Sequence, residues 1–198
     1  RRPTAKCSVS RANSTRRAQY TRAGMDAREL RRVFGLFTTG VTVVTAVGPG
    51  PEPVGVTANS VTSVSLEPPL ILWCLANKST SLGAFGPGAP FAIHILAAHQ
   101  ADIALHFARS GRSKFEVDDW WRSHPSPPEV DGALARIECR VDALHGGGDH
   151  TIIVGAVTGL RARAAAPLAF HASRFGRFEQ DRGSSEVDVW SQARDVWM

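Results

Sequence analysis

Six small hydroxyl and amide side chains crowd positions 55–65 of this chain: Thr57, Asn59, Ser60, Thr62, Ser63 and Ser65. Residues of this size bring backbone N–H groups and short donors close to a ligand, which suits an extended polar molecule. An edge strand with a Thr- and Ser-rich solvent face has the same composition, and both accounts stand at this point. Pro68-Pro69 then stops the element. Leu70-Ile71-Leu72-Trp73-Cys74-Leu75 is wholly apolar and reads as a buried supporting strand. Just beyond it, Asn77-Lys78-Ser79-Thr80-Ser81 precedes Leu82-Gly83-Ala84-Phe85. The pattern predicts a short helix with Ser or Thr at its N-terminus. Free N–H groups and the positive dipole end there form an anion site, to which Lys78 adds a full charge. Plain capping beside a solvated lysine is the other reading.

The motifs of other chemistries are missing. There is no GxGxxG, no GxxxxGK[ST] and no GxSxG in the sequence. Its seven histidines are 94, 99, 106, 124, 145, 150 and 171, none within HExxH. No Cys/His cluster has zinc spacing. His99, Asp102 and His106 share one helix face at helical spacing, but without a fourth ligand they read as a surface cluster. No carboxylate pair stands out for acid–base hydrolysis. By elimination, redox chemistry carried by a bound ligand is left.

The elements that position these residues are mostly strands. Asp26 and Glu29 form a capping box for a first helix, whose apolar face is Leu30, Val33, Phe34 and Phe37, closed by Thr38-Thr39-Gly40. Val41–Val47 is a β-branched strand and Gly48-Pro49-Gly50-Pro51 a turn. Phe91–Leu96 is an apolar strand interrupted by His94. Residues 100–108 read as a helix packing through Ile103 and Phe107, and residues 110–131 as a long irregular excursion. Ala135, Ile137, Cys139, Val141 and Ala143 alternate with Arg136, Glu138, Arg140 and Asp142, the clearest period-two strand. A Gly146-Gly147-Gly148-Asp149 turn leads into a long strand from His150 to Leu160, and Leu168–His171 is a short one. Six or seven strands without regular βαβ alternation favour an antiparallel barrel over a doubly wound sheet.

The 198 residues suit one domain at 25–178 with a leader, 1–24, and a tail, 179–198. The net charge of +5 is misleading. The leader holds seven basic residues and no acid, so the remainder has 16 basic and 18 acidic residues, a net charge of −2. A basic leader can bind phosphate backbones, and its Arg- and Ser-rich composition also fits a transit peptide. With Met25 directly before the first periodic element, it reads as disordered or as sequence upstream of the true start. A body with net negative charge argues against nucleic acid. No apolar run reaches the ~18 residues of a membrane span. The three cysteines, 7, 74 and 139, form no close pair, which points to buried thiols and the cytoplasm. The tail's Val187, Trp190 and Trp197 suit either a docking helix or a frayed end.

Seven fragments then match one pattern in order. They are FTTGVTVVTA at Phe37–Ala46, VGVTANSVTSVSLEPPLILWCL at Val54–Leu75, NKSTS at Asn77–Ser81, HFARSGRSKFE at His106–Glu116, DGALARIECRV at Asp131–Val141, GDHTIIVGAV at Gly148–Val157 and PLAFHASRFGRF at Pro167–Phe178. From about Leu30 to Phe178 the chain resembles the flavin reductase-like family with its FMN-binding split-barrel fold, the small reductase components of two-component flavin monooxygenases. The resemblance implies a mostly β, six-stranded antiparallel Greek-key split barrel with short flanking helices, acting as a homodimer. It implies reduction of FMN or FAD by NADH or NADPH, with reduced flavin passed to a separate oxygenase. Carried over, Thr57, Ala58, Asn59, Ser60, Ser63, Val64 and Ser65 line the flavin ring and ribityl chain. Asn77, Lys78, Ser79, Thr80 and Ser81 hold the phosphate end. Lys114 and Phe115 lie near the flavin, His150 faces the nicotinamide, and Arg174 and Phe175 close over the ring and dinucleotide. Thr38 stands where the family usually has proline, and Phe175 where tyrosine is common. A flavin-holding carrier or sensor without dinucleotide turnover is the alternative, since the same pocket serves both.

Overall fold

The computed structural model describes residues 26–48, 52–111, 113–116, 118–123 and 126–179. The leader, the tail from residue 180 and residues 49–51 of the Gly/Pro turn lie outside the described residues. Helix α1, Ala27–Phe34, belongs to a separate compact unit that ends at Phe34. The Arg28 N–H donates to Asp26 Oδ1 at 3.0 Å, so Asp26 is the cap. The expected capping box is only half formed: Glu29 pairs with Arg32 at 2.7 Å, one turn on. The helix stops before Phe37.

From Gly35 onward the body is built on one seven-stranded antiparallel sheet. Its strands are β2 (Thr42–Val47), β3 (Pro53–Ala58), β4 (Thr62–Leu66), β5 (Pro69–Ala76), β6 (Pro90–Ile95), β9 (Ala135–Gly147) and β10 (His150–Ala162), in the order β3-β2-β6-β9-β10-β5-β4. The four strands β6-β9-β10-β5 make a Greek key: β5 precedes β6 in sequence yet lies beside β10. One core gathers residues from six of the seven strands, including Val44, Ala58, Trp73, Phe91, Val141 and Ile153. The sheet therefore curls around its own interior. A second cluster, with Val43, Leu96, Phe107 and Leu168, covers the other face of β2 beneath helix α2 (Ala101–Ala108). Buried on both faces, β2 reads as the continuous β-branched run seen in the sequence. Small sheets add β1 (Thr39–Gly40) with β11 (Leu168–His171) and β12 (Arg174–Arg177), and β7 (Trp121–Arg122) with β8 (Glu129–Val130).

The main sheet has seven strands where six were expected, because the 55–65 run is not one element. It breaks at residues 59–61, and its halves become β3 and β4, at opposite ends of the strand order. Across the split, β3 meets β5 in the core, and β4 folds back on β5 through the turn at Glu67-Pro68. Strand β5 is half-buried rather than enclosed: Ile71, Trp73 and Leu75 point inward, while Leu72 and Cys74 are partly exposed. The β9 alternation also has an exception. Arg136, expected outside, is buried: its guanidinium donates to the Pro127 and Pro128 carbonyls, His94 Nε2 and Glu138 Oε1. The segment carrying the two prolines covers that face of the sheet.

Candidate functional site

The split between β3 and β5 opens into a cleft of about 710 Å³. Residues 56–60 from the end of β3 and 74–76 from β5 form its floor. Residues 78–81 after β5, 107–111 at the end of α2, Lys114 and His150 close the sides. Thr57, Ala58, Asn59, Ser60, Lys78, Ser79, Thr80, Ser81, Lys114 and His150 are thus brought together as the sequence anticipated. An apolar groove of about 540 Å³ shares Asn59 and Ser60 with it and adds Phe37, Gly40, Val61 and Ile95. At its edge Thr39 Oγ1 is buried without a hydrogen-bond partner among the described residues.

Two of the hydroxyls serve the protein rather than the cleft. Thr57 Oγ1 donates to the Ala104 carbonyl at 2.6 Å and ties β3 to α2. Ser60 Oγ accepts from the Cys74 N–H at 3.0 Å and donates back to the Cys74 carbonyl at 3.3 Å, clasping β5 across the split. What these residues offer a ligand is their backbone and their small size. Gly55 packs so tightly under α2 that an added Cβ would stand 2.5 Å from the Phe107 ring.

Lys114 Nζ donates to the carbonyls of Gly55 at 2.8 Å and Phe107 at 2.9 Å. Partial burial lowers its pKa. The side chain thereby pins a cation where β3 and α2 meet. The helix expected after Ser81 is a single 3-10 turn, Leu82–Ala84, and Ser81 makes no side-chain cap bond. So short a turn supplies little dipole, which leaves Lys78 and the hydroxyls of residues 79–81 as what the segment offers an anion.

His150 begins β10 opposite Ala76 and is half-exposed. Its Nδ1 lies 2.7 Å from Asp149 Oδ1. The hydrogen bond from His150, reinforced by its charge, holds the Asp149 carboxyl below the usual range, and Lys78 adds a smaller pull. With Nδ1–H given to the carboxylate, Nε2 is the ring atom left for a ligand. Asn77 sits outside the lining and braces this corner. Its Nδ2 donates to the Gly148 carbonyl at 3.1 Å, its N–H to the Asp149 carbonyl at 2.9 Å, and its Oδ1 accepts from Thr151 at 2.8 Å.

The remaining anticipated residues stand elsewhere. Ser63, Val64 and Ser65 lie on β4, beyond β5, where a register shift marks a bulge. Phe115 is packed between Phe107 and Trp121, at ring distances of 5.2 and 4.8 Å, under the cleft rather than in it. Arg174 and Phe175 sit on β12, with Phe175 against Phe170. Thr38 Oγ1 reaches His171 Nδ1 at 3.0 Å, tying the chain before β1 to the β11–β12 hairpin. Sequence reasoning passed over Asp149, Cys74, Arg109, Ser110 and Gly111. The last three stood in the HFARSGRSKFE fragment, whose basic and small residues follow a helix end.

Among the described residues no Asp or Glu lines the cleft, whereas Lys78, Arg109 and Lys114 do. Residues 25–178 carry 14 basic and 13 acidic side chains, so the three cations in this hollow are a local concentration rather than a reflection of a strongly basic body. That arrangement fits a phosphorylated ligand.

A family model described as "flavin reductase like domain" matches residues 34–179. The chain is similar to an FMN reductase (NADH) of Agrobacterium fabrum, 46% identical over 161 residues, 81% of this chain and 91% of that protein. It is similar to the reductase subunit HsaB of a flavin-dependent monooxygenase in Rhodococcus jostii, 34% identical over 182 residues, 88% of this chain and 93% of that protein. Among solved structures it is similar to the NADH:FAD oxidoreductase of Streptomyces globisporus C-1027 in complex with NAD and FAD fragments. There the TM-score is 0.73 and the identity 43%, covering 79% of this chain and 95% of that one. With its antiparallel sheet and the cleft at its split inside the matched region, the chain belongs to the flavin reductase-like family.

Proposed function

We propose that the protein is an NADH-dependent flavin reductase that supplies reduced FMN or FAD to a separate oxygenase. The observation that carries the reading is the cleft at the β3–β5 split, where Lys78, Arg109 and Lys114 stand around a floor of small residues with no acidic side chain among the described lining residues. The dinucleotide supplies a hydride and the flavin accepts it, so the chain needs no nucleophile, strong base or metal of its own. Its residues bind and orient. Lys78 and the hydroxyls of Ser79, Thr80 and Ser81 hold phosphate. The backbone of residues 57–60 approaches the flat ring closely, and its N–H groups stabilise the negative charge that grows there. His150 Nε2 contacts the dinucleotide, with Asp149 fixing the ring. NADH and both flavins are supported by the names of the similar proteins, and the oxygenase by the monooxygenase reductase subunit among them.

A second copy of the chain completes the arrangement in this reading. Edge strand β4 exposes Val64 and Leu66, and the Ser63–Ser65 run and Arg174 stand away from the cleft of their own chain. Contact with a partner copy gives both a role. The free thiols of Cys74 and Cys139 are consistent with work in the cytoplasm. Among the described residues no helix is long and apolar enough to cross a membrane.

The test is to mix purified protein with NADH or NADPH and excess FMN or FAD and follow the dinucleotide absorbance. Flavin-dependent loss with NADH is expected. Absence of oxidation in all four mixtures would leave a flavin-holding carrier or sensor.

A further inference from the structure

We infer that a segment of the tail, Glu186-Val187-Asp188-Val189-Trp190, docks on the apolar groove of its own chain and is displaced when flavin binds. The displacement rests on the proposed flavin-reductase reading; the docking itself stands apart from it. The groove, of about 540 Å³, runs beside the cleft and shares Asn59 and Ser60 with it. Phe37, Val61 and Ile95 give it an apolar lining, and the Phe37 ring stands 78% exposed there. Apolar surface of this kind, bordered by polar residues, calls for a cover.

Sheet register puts the tail within reach. Gly176 of β12 lies opposite Ala169 of β11, and Ala169 lies opposite Gly40 of β1, which lines the groove. Two strand spacings, about 10 Å, separate Gly176 from Gly40. β12 ends at Arg177, just before the tail. Residues 180–190 span about 36 Å extended and about 16 Å as a helix, so either form covers the distance. Composition matches as well. Val187, Val189 and Trp190 supply apolar surface, with Glu186 and Asp188 between them. In residues 180–198, Asp181, Glu186, Asp188 and Asp195 stand against Arg182 and Arg194, a net charge of −2. The adjoining cleft presents Lys78, Arg109 and Lys114, and no acid among its described lining residues. An indole in the groove with carboxylates toward those cations offers what a flavin offers, one flat apolar ring and one anion. The family match ends at residue 179, before the tail begins.

Binding and fluorescence on the full chain test the inference without turnover. Dissociation constants of FMN and FAD are measured by titration calorimetry for the native chain, Trp190→Ala and the double variant Glu186→Gln/Asp188→Asn. Trp190→Ala is expected to tighten both flavins about tenfold, the gain from removing an occupant that fills the site about nine-tenths of the time. A gain in affinity is a result that misfolding does not imitate. The double variant is expected to tighten them about twofold at low salt and to match the native chain at high salt. The emission of Trp190, taken as the native spectrum minus that of Trp190→Phe, reads the docking directly. It is expected at the short wavelengths of a buried indole in the ligand-free chain, and to move to longer ones as flavin is added. Unchanged or weakened flavin binding in Trp190→Ala overturns the inference, as does the emission of a water-exposed indole in the ligand-free chain. A short-wavelength signal that fades on dilution places the segment on a second copy and overturns docking within one chain. A chain that shows the buried signal and its displacement by flavin yet never oxidises NADH keeps the docking and loses the reductase reading.

Discussion

Asp149 and His150 form a unit at the scale of single residues. A 2.7 Å contact sets the ring's orientation, and Asn77 holds the backbone of the same turn by two hydrogen bonds while accepting a third from the Thr151 hydroxyl. His150→Ala is expected to raise the KM for NADH about tenfold, and Asp149→Ala about threefold with little change in the KM for flavin. Asp149→Asn keeps an acceptor for Nδ1–H, so it recovers most of the Asp149→Ala loss if orientation is what matters. Steady-state kinetics with NADH as the varied substrate reads all three, and an unchanged KM in His150→Ala removes the contact. His150 itself was legible in the sequence because the GDH fragment placed it. Asp149 beside it was not, since adjacency in sequence says nothing about whether two side chains turn toward each other. The hydroxyls were legible as a cluster and misleading as donors. Thr57 and Ser60 look alike in sequence, yet each bonds to backbone carbonyl or N–H groups brought near by tertiary folding.

Among the elements, the cleft depends on two close approaches to β3. Ser60 clasps Cys74 of β5, and Gly55 admits Phe107 of α2. Ser60→Ala leaves the Cys74 N–H without its partner and is expected to cost about 1 kcal/mol in urea unfolding. Gly55→Ala places a methyl 2.5 Å from the Phe107 ring. The ring must shift, α2 must lift with it, and about 2 kcal/mol of stability is expected to be lost together with tight flavin binding. Gly155→Ala meets Phe91 at the same 2.5 Å inside the core. It is expected to destabilise to a similar degree while sparing the cleft, so comparing the two variants separates packing from binding. Strand periodicity made β2, β9 and the start of β10 legible. The division of residues 55–65 into β3 and β4 was not, because small polar residues suit either side of a break and nothing local marks residues 59–61. Arg136 shows the same limit: period two assigned its face correctly, but the segment that covers that face lies far off in sequence.

At the scale of the whole molecule, a buried polar network ties β2, β6 and β9 to the loop before β8. His94, fully buried, has Nδ1 at 3.1 Å from the Val43 carbonyl and Nε2 at 3.0 Å from Arg136 Nη1. Burial, then the Arg136 charge, pushes its pKa down to about 3. The folded chain thus keeps His94 neutral while the unfolded chain protonates it below about pH 6.5. The unfolded state then binds the extra proton, so stability is full above that pH and falls as the pH drops toward 3. A slope of about 1.4 kcal/mol per pH unit is expected from this one group. Urea unfolding between pH 6.5 and 4.5 is expected to show that slope in the native chain and to lose it in His94→Gln. The family and the barrel were legible from seven ordered fragments, whereas this network was not, because it joins residues from four distant stretches. The central claim is that the cleft brings flavin and NADH together for hydride transfer. Anaerobic rapid mixing of the protein and bound FMN or FAD with NADH, followed by flavin absorbance, tests it most directly. The account predicts rapid bleaching of the flavin, one equivalent per NADH consumed; a flavin that stays bound and oxidised in the presence of NADH would contradict it.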